Sequence, residues 1–160
     1  MSDILATITP RPARRWVGVA IQVALGGLIL SVAFAVQNAP FLVQAALLAF
    51  GLFMLVGALR LYRATEHYIE LTETELRDSS GRVLATIDEI TGVDRGAFAF
   101  KPSNGFLLHL RAPGVRAWVP GLWWRVGKFV GVGGVTPANE AKAVAEILSM
   151  LIAQRDASPD

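Results

Sequence analysis

The chain has 160 residues, 53% hydrophobic and 18% charged, too apolar for an ordinary water-soluble domain, in which about a quarter of residues carry charge. It contains no cysteine, which excludes disulfides, thiolate nucleophiles and cysteine-ligated zinc. The net charge of +2 hides a division: residues 1–63 hold five arginines and one acid, Asp3, whereas residues 64–160 hold ten basic and twelve acidic residues, so basicity marks the flanks of an apolar region and gives no ground for nucleic-acid binding.

Residues 1–15 read as a cytoplasmic N-terminal segment. Residues 16–36, WVGVAIQVALGGLILSVAFAV, carry no charge, and at about 1.5 Å per helical residue they span a hydrocarbon core of roughly 30 Å. After Gln37-Asn38-Ala39-Pro40 a second apolar span, 41–62, has no charge before Arg60. A four-residue turn between the two spans leaves only an antiparallel return, and Pro40 suits the first turn of a new helix. Residues 16–62 are therefore expected to form a transmembrane hairpin. Arg11, Arg14 and Arg15 precede it, Arg60 and Arg63 follow it, and the turn has no basic residue, so the positive-inside rule puts both ends in the cytoplasm. Trp16 and Tyr62 fall at headgroup level, where aromatic belts form. The competing reading is a cleaved signal peptide ending at Ala33-Phe34-Ala35; the length of the apolar stretch and the second span directly after it argue against that.

On the first span Gly27, Ser31 and Ala35 recur every four residues, a small-residue face that lets another helix approach closely; Ala45 and Ala49 offer a shorter one on the second. The plain expectation is that these faces pack against each other, and the alternative is that they dock a partner helix. Gln22 and Gln44 are the only amides within the spans, and no ionisable group that would mark an ion path lies there.

From His67 the pattern changes to period two, as in a half-buried strand, and continues through 75–78 and, after Ser79-Ser80-Gly81, through 82–87. A longer strand over 92–100 ends at Lys101-Pro102-Ser103-Asn104-Gly105, and 106–111 should pair back on it. Strands at 115–119 and within 123–132 complete a set of about seven, and their short connections imply an antiparallel barrel. A helix starting at Thr136-Pro137 and running to about residue 154 carries Val144, Ile147, Leu148 and Leu151 on one face, which must cover the open end of that barrel. The domain is placed at 66–155, with 156–160 as a flexible tail.

With Tyr68-Ile69-Glu70-Leu71-Thr72, Glu75-Leu76-Arg77, the segment 83–90 leading into Gly92-Val93, and the helix 137–154 in this order behind two apolar spans, the chain resembles bacterial membrane-anchored proteins with a PH-like domain. The resemblance covers about 90 residues, is one of architecture, and implies an α+β membrane protein: a two-helix transmembrane hairpin plus a PH-like β-barrel capped by a C-terminal helix. It also implies a binding or scaffolding module in the bacterial inner membrane rather than an enzyme. Phosphoinositide-binding members cluster Lys and Arg around the first strand pair, where this chain has Glu73-Thr74-Glu75, which speaks against that ligand.

No catalytic motif is legible. His67 and His109 lie on different strands without acidic partners at ligand spacing, and no nucleophile elbow is present. Gly131-Val132-Gly133-Gly134 lacks the Lys-Ser/Thr ending of a phosphate loop and reads as a tight turn. No cofactor or metal is called for. The informative tract is 95–139, with Arg95, Lys101, Arg111, Arg116, Arg125 and Lys128, no acid, and Trp118, Trp123 and Trp124. Tryptophan beside lysine and arginine suits a membrane interface, where each basic side chain near anionic lipid contributes about 1 kcal/mol. Arg116, Trp118, Trp123, Trp124, Arg125 and Lys128 are thus expected to face anionic phospholipid headgroups of the bilayer or another membrane protein. Core packing of Trp123 or Trp124 is the alternative.

Overall fold

The computed structural model describes residues 3–36, 38–96 and 102–157. Pro12–Arg63 form one compact unit, and the segments on either side, up to Arg11 and from Ala64, together form the other.

The first unit is a pair of 24-residue helices, α1 (Pro12–Ala35) and α2 (Phe41–Ala64), each about 36 Å long by helical rise. Both are long and apolar enough to cross a bilayer. Pro12 occupies the first helical position of α1, where a missing N–H costs nothing, and the carbonyl of Pro40 accepts from Val43 and Gln44 at the start of α2. Gln37 lies outside the described residues. The helices approach through Gly26 and Ala33 on α1 and Gly51 and Ala58 on α2, all buried. A Cβ at Gly51 would lie 2.7 Å from Leu30 Cγ, and one at Gly26 would lie 3.1 Å from the Gly51 carbonyl, so the two glycines let the helices approach this closely. Gln44 Nε2 donates across the hairpin to the Ala33 carbonyl at 3.3 Å, and Gln22 lies against Gly57, which leaves room for its amide.

The second unit holds nine strands among the described residues. β1 (Ile4–Ile8), β2 (Ile69–Thr72), β3 (Glu75–Asp78) and β4 (Val83–Thr86) form a four-stranded antiparallel sheet in that order. A 3-10 turn, Ile87–Glu89, leads into the second sheet, made of β5 (Ile90–Asp94), β6 (Phe106–Leu110), β7 (Ala117–Val119), β8 (Trp123–Val126) and β9 (Phe129–Val132) in the order β5-β6-β9-β8-β7. α3 (Ala138–Ala157) closes the chain.

Several features differ from the sequence expectation. Residues 1–15 are assigned no element by their pattern, yet Ile4–Ile8 forms a strand paired with β2, Ile8 opposite Ile69, and Ile8 is fully buried. The stretch 123–132 is two strands, because Gly127 at φ 57° and Lys128 make a two-residue hairpin loop between Val126 and Phe129. The barrel is not closed: no strand of the four-stranded sheet pairs with one of the five-stranded sheet among the described residues. Side chains and a helix cover the corners instead. α3 packs on β1, β5 and β6 through Ala141, Val144, Ala145 and Leu148, as its apolar periodicity requires, and runs three residues past 154 into the stretch expected as a tail. Arg155 in its last turn donates to the carbonyls of Ile87 at 2.6 Å and Ile90 at 2.9 Å. The strand expected over 92–100 begins at Ile90 and is described to Asp94; residues 97–101 lie outside the described residues.

The core between the sheets contains Ile8, Ile69, Leu71, Leu76, Leu84, Phe106, Leu108, Leu122, Trp123, Val130 and Leu148, each buried. On the four-stranded sheet, Glu70 and Arg77 are cross-strand neighbours joined at 2.9 Å. The Glu70 hydrogen bond raises the Arg77 pKa above its ordinary value, so Arg77 stays cationic throughout the physiological range.

Candidate functional site

The registers of the five-stranded sheet decide which residues of the 95–139 tract share a face, because directly opposed residues point the same way. One row runs Val119–Trp123–Val132–Phe106 and its neighbour Ala117–Arg125–Val130–Leu108; both face the core. The rows Trp118–Trp124–Gly131–Leu107–Asp94 and Val126–Phe129–His109–Gly92 face outward. The six residues expected to form one interface are thus divided by the pleat.

Trp123 and Arg125 belong to the interior. Trp123 is 2% exposed and donates from Nε1 to Asp78 Oδ2 at 3.3 Å, while the Arg82 guanidinium lies 5.9 Å over its ring. Asp78 is itself 2% exposed, and its Oδ1 accepts from the Ser80 N–H, the Ser80 hydroxyl and the Arg82 N–H. One carboxylate therefore ties the β3–β4 turn to β8 of the other sheet. Arg125 does the same one rung along, donating from Nη1 to the Leu84 carbonyl of β4 at 3.2 Å, with the Gly114 backbone lying directly on its guanidinium. Only a glycine fits there, since a Cβ at 114 would overlap Arg125. Trp123 and Arg125 hold together the corner at which the strands do not pair.

Trp118, Trp124, Arg116 and Lys128 lie on the outside. Trp118 is 68% exposed and Val115, in the loop before β7, is 87% exposed. Trp124 is half-buried, its indole lying flat over Gly131, whose missing side chain makes the space. Val126 and Phe129 flank the exposed Gly127-Lys128 loop and are exposed as well, and Phe129 meets the His109 ring edge-on at 5.2 Å. Two backbone bonds gather these parts: Gly114 N–H donates to the Gly127 carbonyl at 3.1 Å, and Leu110 N–H to the Lys128 carbonyl at 2.8 Å. The result is an apolar, aromatic surface with exposed Arg111, Arg116 and Lys128 beside it. The carboxylate on this face, Asp94, sits at the opposite edge on β5 and accepts from Gly96 N–H. Val115, Val126 and Phe129 were not singled out by the sequence pattern; recognition of the Gly-Lys loop would have set the outward register that exposes the last two.

Trp118 and Trp124 also wall a cleft of about 330 Å³ shared with Pro102, Leu122, Gly133 and Gly134, which contains no acid, base or nucleophile. Gly133 and Gly134 have φ of 149° and 124°, and a Cβ at 134 would lie 2.6 Å from the Gly121 carbonyl, so this glycine run serves a tight turn. His67 Nδ1 lies 3.2 Å from Ser79 Oγ, and His109 is on the other sheet; no cluster of three or more metal-ligating side chains occurs among the described residues.

In the helical unit, Gly27, Ser31 and Ala35 are exposed, and the space around Gly27 is empty. Ala49 is exposed too, and Ala45 is half-buried. The hairpin is built on the neighbouring glycines, 26 and 51, and leaves the expected stripe uncovered. Arg15 lies 4.0 Å over the Tyr62 ring, which meets Trp16 at 5.5 Å, so the basic and aromatic residues flanking the two spans form one cluster; Arg14, Arg60 and Arg63 lie exposed in the same turns. No family model, no curated protein and no solved structure matches the chain.

Proposed function

We propose that the protein is a non-enzymatic, membrane-tethered PH-like interaction module of a bacterial-type inner membrane, multi-pass, with both termini cytoplasmic and its globular unit held at the inner leaflet. The observation that carries this reading is the pairing of β1, which precedes α1, with β2, which follows α2. Two spans between neighbouring strands of one sheet require an even number of crossings. The arginines at both ends of the hairpin support a cytoplasmic location. Two antiparallel sheets with a covering C-terminal helix support the PH-like reading.

The absence of cysteine makes the test direct. Ala39→Cys should react with an impermeant maleimide from outside intact cells, and Ala143→Cys only after permeabilisation. Labelling of position 39 from the cytoplasmic side, or recovery of the chain in the aqueous fraction after carbonate washing, overturns the proposal.

A second reading, an accessory or assembly subunit of a larger membrane complex, is favoured by the uncovered Gly27, Ser31 and Ala35 on α1. A stoichiometric partner retained in mild detergent and lost on Gly27→Leu supports it; a lone chain in both cases removes it.

A further inference from the structure

Resting on the membrane-tethered reading, we infer that the outward face of the five-stranded sheet is an anionic-lipid docking surface, with Val115, Trp118, Val126 and Phe129 entering the headgroup layer and Arg116 and Lys128 meeting lipid phosphates. The loop before β7 and the Gly127-Lys128 loop are joined by the Gly114 to Gly127 bond, so the four apolar side chains and the two cations belong to one contiguous surface. Trp118 opposes Trp124, and the Gly131 gap beneath Trp124 broadens the aromatic area.

Charge selects the occupant. The sequence has no carboxylate between Asp94 and Glu140, while Arg111, Arg116 and Lys128 are exposed and Arg125 is turned inward to Leu84. Asp94 sits at the far β5 edge and Glu89 beside Arg111, so Arg116 and Lys128 are the charges next to the exposed Trp118 and Val115, and they complement the negative surface of a phospholipid leaflet, where an indole sits at headgroup depth and cations pair with phosphates. The inward turn of Trp123 and Arg125 defines the surface more narrowly than the tract of sequence does: those two close the sheet corner, and Val115, Val126 and Phe129 take their place.

The test uses full-length chain in nanodiscs of phosphatidylcholine, with or without phosphatidylglycerol, and an environment-sensitive fluorophore on Val115→Cys or, as control, on the exposed Ala143→Cys of α3. Position 115 should shift to the blue and be quenched by doxyl lipid in anionic discs, reverting in high salt, while position 143 stays aqueous. The pair R116Q/K128Q should lower the docked-to-undocked ratio roughly 30-fold, from about fivefold per cation. Trp118→Ala should weaken quenching at 115 without altering the charge dependence. A label at 115 that is as aqueous as that at 143 in anionic discs overturns the inference, as does protection seen only in native membranes, which would assign the face to a protein. Because the chain enters discs only through its hairpin, these failures leave the tether intact, whereas failure to incorporate at all sinks the tether itself.

Discussion

Asp78→Ala is the most telling perturbation of the globular unit. Asp78 is 2% exposed and accepts four hydrogen bonds, three at Oδ1 from the β3–β4 turn and one at Oδ2 from Trp123. The turn donors at Ser80 and Arg82 lie near the surface and can turn to water, so their loss costs little. Trp123 Nε1 cannot, because the residue is 2% exposed, and a buried donor left without an acceptor costs about 1–3 kcal/mol. Taking about 2 kcal/mol, Tm should fall by roughly 8–16 °C for a unit of this size. The assay is near-UV circular dichroism during thermal unfolding of the full-length chain in detergent, which is dominated by the tryptophans, three of the four lying in the globular unit and Trp16 in α1. W123F should cost packing, but Asp78→Ala added to W123F should cost under half of what it costs alone, since the donor is gone. Equal losses in the two backgrounds, or a single-variant shift within 1 °C of zero by this measure of ~0.2 kcal/mol, would refute the claim that Asp78 acts through Trp123.

Other expectations follow from the same contacts. Ile8→Ala, at a fully buried position of β1, should cost about 2–4 kcal/mol and open the 64–160 region to limited proteolysis, as far as a deep-core substitution elsewhere would. Gly51→Leu should disrupt the helical hairpin, read as a changed mobility in denaturing-detergent gels, whereas Gly27→Leu should leave it intact, because a side chain at 51 would meet Leu30 and one at 27 only open space. Arg125→Ala should destabilise the unit by about 1.5–3 kcal/mol through the lost bond to the Leu84 carbonyl, and Arg125→Lys should recover part of it, read by the same thermal assay.

Much of the fold was legible where one local rule acted alone. The strand over 75–78 and the pairing of 106–111 follow from period-two alternation, and α3 follows from its proline start and its apolar face. The β1 strand was not legible: Ile4-Leu5-Ala6-Thr7-Ile8 does not alternate apolar and polar, and its partner is about 60 positions away across the hairpin. Residues 123–132 read as one strand because apolar residues continue on both sides of Gly127, although a glycine at the first position of a two-residue loop is the signal for a hairpin. That omission also blurred the candidate surface. Alternation dictates that Trp123 and Trp124 point oppositely, but the loop register decides which of them is inside. On α1 the choice between Gly26 and Gly27 is a rotation of about 100° about the helix axis, which small-residue spacing cannot resolve without the facing side of α2.

The bond between the first strand and the strand beyond the second span also dictates an order of events during synthesis. Ile4–Ile8 leaves the ribosome early and must wait, unpaired, until residues 69–72 emerge. If the two spans are threaded into the bilayer with one of them left out, the waiting segment ends on the wrong side and Ile69 and Leu71 keep a bare edge. On the proposed membrane-tethered reading, completion of the sheet would report that both spans had inserted, and a chain left unpaired there would keep an unfinished strand ladder.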